Sequence, residues 1–164
     1  MPFQTSITRF PVVGVAGMLA DTNDVDVDSK VAQASVAPGL AVVFNSGDNP
    51  DLVRAPTTTG QVTTAGQLKG VTMWDTTALT NPYAAGDPMP ILKCGVIWVI
   101  VEEVVSPLSP VFVRFAAGAG GTALGAFRAS ADTATAVQVP SQIMSYESTT
   151  TAVNQLVKLR VNIP

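Results

Sequence analysis

Histidine is absent from the 164 residues, and cysteine occurs once. Without histidine the chain lacks the commonest general base, the usual partner of a Ser or Cys nucleophile, and the commonest metal ligand. Most hydrolase mechanisms are thereby excluded. The single thiol, Cys94, cannot close an internal disulfide, which points to folding in a reducing cytosol. It lies in an apolar run and is expected to be buried and inert. Charge is also scarce, at 13% of residues, against about 25% in an ordinary soluble domain. The nine basic residues are scattered singly, apart from Lys158 and Arg160, and the net charge is −3. Binding to a phosphate backbone needs clustered Lys and Arg, so no nucleic-acid partner is expected. The most apolar window, Gly95 to Val101, is far shorter than the roughly 20 residues of a membrane-spanning helix. The opening MPFQTSITRFP has neither the charged start nor the long apolar stretch of a secretory signal, so neither membrane nor export is expected.

What is present is apolar and turn-rich. Residues of the apolar class make up 47% of the chain, and monomers rarely expose large neutral patches, so the composition favours a chain that packs against neighbours. The length suits one domain with a single core. Val, Thr and Ile fill the periodic segments, while 13 Gly and 12 Pro recur between them, the punctuation of short strands joined by turns. Residues 1–11 read as an extended arm: Phe3, Ile7 and Phe10 are separated by polar residues and bracketed by prolines. Residues 12–164 read as one β-rich domain.

Strands are expected at 12–19, around the alternating Asp24-Val-Asp-Val-Asp28, and at 40–44, 52–54, 68–74 and 89–93. Gly95 is read as a turn into a strand at 96–105, apolar on both faces in its first half and therefore central. Further strands follow at 111–115, 126–129, 137–139, 143–147 and 152–163. One helical turn is placed near 63–68. Strands at this spacing imply a sandwich or barrel.

No motif carries chemistry. Glu102 and Glu103 are neighbours on an expected strand, so they should point to opposite faces and cannot act as a facing acid pair. Asp75 and Asp87 lie in turns, where Asp serves the backbone. The Asp24–Asp28 run resembles the start of a calcium loop, but Ser29 and Ser35 stand where glycine and a bidentate glutamate are needed, so no metal is expected. The stretch Gly118-Ala-Gly-Gly-Thr-Ala-Leu-Gly125 has Ala123 where a dinucleotide loop needs glycine and reads as a flexible surface loop. Trp74 and Trp98 are expected in the core. No cofactor is expected.

The layout as a whole resembles the structural cement or decoration proteins of tailed-bacteriophage capsids. The resemblance rests on Met1-Pro-Phe-Gln4 followed by Val15-Ala-Gly-Met-Leu-Ala20, and on Pro38-Gly-Leu-Ala-Val-Val-Phe44. It continues through Lys69-Gly-Val-Thr-Met-Trp-Asp75, Tyr83-Ala-Ala-Gly-Asp-Pro-Met-Pro-Ile-Leu92, and Cys94-Gly-Val-Ile-Trp-Val-Ile-Val101 ahead of a Pro-Val-Phe-Val-Arg segment. The sequence departs from the pattern at Ser106-Pro-Leu-Ser-Pro110, where a glycine turn is expected. The resemblance implies an all-β, jelly-roll-like sandwich or barrel and a homotrimer. It further implies a place on the capsid exterior of the virion after synthesis in the host cytoplasm, with the major capsid protein as partner. Phe3, Ile7 and Phe10 are then the expected subunit or capsid contacts, through edge-strand addition of the arm. The competing expectation is a carbohydrate-binding or adhesive β-sandwich using Trp74, Trp98 or Tyr83.

Overall fold

The structure is a computed structural model and describes residues 14–164 except 45, 46, 48, 65 and 77–81. Phe3, Ile7 and Phe10 fall outside the described residues. Ten strands are described: β1 (Leu19–Ala32), β2 (Ala41–Phe44), β3 (Leu52–Arg54), β4 (Leu68–Thr72), β5 (Pro88–Val101), β6 (Phe112–Arg114), β7 (Phe127–Arg128), β8 (Ala136–Gln138), β9 (Met144–Tyr146) and β10 (Gln155–Asn162). One helix, α1 (Thr59–Thr63), completes the set. The fold is all-β, as expected from the alternation and the turn residues.

Two long strands organise it. Strand β1 pairs with β5 in antiparallel register and with β3 in parallel; β3 pairs with β2, β2 with β4, and β4 with β5. These five pairings close a ring, which removes the open edges a small sheet would leave to solvent. Beyond Leu92 the β4 edge of β5 is taken by β10, paired from Cys94 to Val101, and β9 lies outside β10. At Val101 strand β5 also meets β7, which continues through β6 to β8. Strand β5 is thus shared by the ring and by a second sheet.

Burial follows from that topology. Successive residues of the ring strands enter two apolar clusters by turns: Val42 and Ile91 pack with Ala32, Val36, Val53, Tyr83 and Met89, while Ala41, Val43 and Leu92 join the larger core. That core runs on into the second sheet through Ile97, Val99, Val101, Phe127, Val157 and Leu159. A strand buried on both faces needs apolar residues at consecutive positions, which accounts for the unbroken Ala-Val-Val of β2.

Several expectations need correction. Gly95 is no turn. Strand β5 runs straight through it, held by β1 on one edge and β10 on the other, and its φ of +134° is one that glycine supplies without strain. The second half of β5 is buried on both faces at its start and on one at its end: Ile97, Val99 and Val101 are inaccessible on one face, while on the other Val96 is buried, Trp98 half-buried and Ile100 46% exposed. Helix α1 begins earlier than 63–68, with the Gln61 side chain accepting hydrogen bonds from the Thr57 and Thr58 amides. Of the strand expected at 12–19, residues 12 and 13 lie outside the described residues, and β1 begins at Leu19. Trp74 is 38% exposed rather than in the core. Trp98 is half-buried, with Gly14 against its indole and Lys158 above the ring at 5.5 Å. Cys94 is also half-buried, its Sγ 3.9 Å from Asn162 Oδ1.

Candidate functional site

The densest polar arrangement sits where β5 ends and the second sheet begins. Arg114 comes from β6, Arg128 from β7, Glu102 and Glu103 from the residues just after β5, and Asp132 from the loop before β8. The Arg114 side chain is 0% exposed and is satisfied at every nitrogen. Its Nε donates to both Glu102 oxygens at 2.8 and 3.0 Å, and Nη2 donates to Glu102 Oε2 at 2.6 Å and Asp132 Oδ2 at 2.7 Å. Nη1 donates to Thr135 Oγ1 at 2.9 Å and to the Ala116 carbonyl at 3.2 Å. Arg128 reaches Glu102 at 3.2 Å, Asp132 at 2.8 Å and Glu103, while its buried Nε has no hydrogen-bond partner among the described residues.

Two guanidinium groups against three carboxylates form a connected network in which each charge has an opposite neighbour, the condition for holding charge away from water. The Arg114 hydrogen bond and the Gly120 amide hold Asp132 well below the usual carboxylate range, at about 2. Burial pushes Glu103 upward, but hydrogen bonds from Ser130, the Ala129 amide and Arg128 outweigh it, and the net shift is downward. Arg114 is shifted up, first by its hydrogen bonds to Glu102. Deeper in, the Tyr146 hydroxyl donates to the Arg128 carbonyl at 2.9 Å, and burial raises its pKa.

The glycine-rich stretch is a surface loop, as expected, and it also forms the lid of this network. A Cβ at Gly118 would crowd Arg114 Nη1 at 2.7 Å, one at Gly120 would crowd Arg128 Nη1 at 2.7 Å, and one at Gly121 would run into the Glu102 carboxylate. The backbone lies directly on the charged groups, and only glycine permits that approach. Gly125, at φ +84°, fastens the end of the stretch to β2, its carbonyl accepting the Ala41 amide at 2.9 Å. Glu102 and Glu103 also depart from the expected opposite faces: β5 ends at Val101, and both carboxylates turn to Arg128. Sequence reading misses this centre because its five members, within residues 102–132, sit on four separate segments whose approach only the fold decides; the density of glycine at 118–125 is the available signal.

Elsewhere the acidic run of β1 is solvent-facing. Asp26 lies 3.6 Å from Lys93, and Asp28 lies 3.2 Å from Lys30, which also reaches Asp51 at 3.1 Å. Among the described residues no group of three or more His, Cys, Asp or Glu is placed to hold a metal.

A ring of two long and three short strands fused to a second sheet, with ion pairs about two buried arginines, defines a structural β-module. Comparison with known proteins gives it a family. Residues 3–162 match the family described as structural cement protein (E217 gp24/Pam3 gp6), and the chain belongs to that family. It is a phage virion protein that stabilises the capsid. The fold is similar to that of a chain in the structure titled "The capsid of Myoviridae Phage XM1", with a TM-score of 0.66 at 15% identity, covering 99% of this chain and 98% of that one. Comparison with curated proteins gives no match.

Proposed function

We propose that this cement protein binds the outer surface of the shell as a homotrimer, bridging neighbouring capsomers so that a junction fails only when several contacts break together. The observation that carries the reading is the extent of the family match. It starts at residue 3 and so takes in the segment bearing Phe3, Ile7 and Phe10 together with the β-domain. That segment acts as the crossing arm, adding to a sheet edge on a neighbouring subunit. Suitable edges are at hand: β8 pairs only with β6, and β9 only with β10, among the described strands. The role is non-enzymatic. Its most concentrated carboxylates, Glu102, Glu103 and Asp132, are committed to Arg114 and Arg128, and low pKa values deprive Glu103 and Asp132 of a proton to give near neutral pH.

Co-sedimentation with undecorated, expanded capsids tests the reading. The full chain should bind at a fixed ratio and raise the temperature at which particles break. A chain lacking residues 1–11 should bind at least about tenfold more weakly and lose the trimer mass, as loss of one arm of a multivalent contact requires. Unchanged binding and mass after the deletion would remove the arm from the mechanism.

A further inference from the structure

Two adjoining concavities of about 370 and 460 Å³ run between the ring and the 118–125 lid. They share Ala37, Leu40 and Ala123, with Ile100 at one end and Arg54 at the other. The walls are mostly small and apolar, so an extended backbone can approach closely. The lid is not free to fall in, because the ion network and the Gly125–Ala41 bond fix it.

Arg54 sets this trough apart. Every other basic residue described has a partner. Lys30, Lys93, Arg114, Arg128 and Arg160 pair with carboxylates, and Lys69 and Lys158 sit over the rings of Phe44 and Trp98. Arg54 has neither an ion pair nor a side-chain hydrogen bond among the described residues, and its Nε is buried. A guanidinium half-withdrawn from water into an apolar wall, with its fork unused, is matched by a carboxylate brought in by something else.

We propose that this trough is the docking site for an extended segment of the shell protein that places an Asp or Glu carboxylate on Arg54 and apolar side chains over Leu40 and Ala123. The inference rests on the cement reading and names the surface through which it operates. Charge complementarity decides the occupant. The chain's own first thirteen residues are apolar enough to fill the trough but carry Arg9 and no carboxylate, so they would set cation against cation.

The test uses the full chain and capsids assembled from the shell protein, with binding followed by co-sedimentation at low and high salt. Arg54→Glu should weaken binding tenfold or more, and Arg54→Lys, which keeps the charge but loses the fork, should weaken it less. Ala123→Trp fills the trough without touching the charge or the core and should also abolish tight binding, with an unchanged circular dichroism spectrum. A photo-crosslinker at residue 124 should capture an acidic stretch of the shell protein. If the unaltered chain binds while all three variants bind equally well, or if the crosslink falls on another copy's first thirteen residues, the trough is not the docking site and the cement reading stands. If the unaltered chain does not bind capsids at all, the cement reading fails and this inference with it.

Discussion

The cluster on one side of the ring is wholly buried and the cluster under the 118–125 lid is buried at its two arginines, yet they are built from opposite materials. The first has seven members, Ala32, Val36, Val42, Val53, Tyr83, Met89 and Ile91, of which only Tyr83 carries a side-chain hydrogen-bonding group, satisfied by donating to the Met73 carbonyl at 2.8 Å. The second consists of five charged side chains and the backbone pressed against them. Apolar contacts are non-directional, so the first cluster tolerates rearrangement of its members at modest cost. Ion pairs withdrawn from water are directional and act together, so the second places Glu102, Asp132 and the lid in one arrangement. Rigidity at the end of β5 matters to a protein that must hold a shell, because the lid is also a wall of the trough facing a partner.

Removing one member of each cluster should separate them most clearly. Arg114→Ala removes the fully buried guanidinium that Glu102 and Asp132 share, and breaking a buried pair costs about 3–5 kcal/mol. In a chain of this length that corresponds to a fall in Tm of roughly 6–20 °C. Thermal unfolding of the purified chain reads it directly. A loss under about 1 kcal/mol would mean that water already reaches the network and screens it.

Shaving the apolar cluster should do much less. Ile91→Val removes one methylene from a fully buried side chain, and such changes cost about 0.5–1.5 kcal/mol. Equilibrium denaturation in urea, with an unchanged slope, would show the effect. A cost equal to that of Arg114→Ala would erase the contrast between the two interiors.

The same contrast explains what could be seen in advance. The short strands were legible because alternation and Gly/Pro punctuation are local signals: Ala41–Phe44, Leu52–Arg54 and Gln155–Asn162 follow directly from them. Strand β5 reads as two strands because a lone glycine in an apolar run is locally indistinguishable from a turn; the pairing of Gly95 with Val161 is set by β10, more than 60 residues away. The exposure of Ile100, in a stretch otherwise buried or half-buried, has a related cause, since only tertiary packing decides where an apolar face stays covered. Helix α1 did have a local signal, a Thr at position 58 followed three residues later by Gln61, which suits a capping box. Apart from the glycines at 118–125, the ion network and the unpaired state of Arg54 have no comparable signal, because each arginine is a single residue among neutral neighbours and its partner, or lack of one, is decided by the fold.

The smallest effect concerns pH and sharpens the comparison, since only the charged cluster can respond. The folded pKa of Asp132 is depressed to about 2 from an ordinary value of 3.8. A depressed carboxylate contributes stability that is complete above its unfolded value and is lost as pH falls through the folded one. The unfolded chain takes up the proton first, between roughly pH 4 and pH 2, and stability declines across that window. Asp132→Asn keeps the side chain's size and its tolerance of the left-handed φ of +44° found there, while removing the titrating group. The variant should be less stable than the parent at neutral pH, and its stability should fall less steeply from pH 4 to pH 2. Glu103, shifted in the same direction, still titrates in both proteins and leaves some slope in the variant. Urea midpoints measured at half-unit steps would show the two curves converging toward pH 2. Parallel curves would show that Asp132 is not a source of the acid sensitivity.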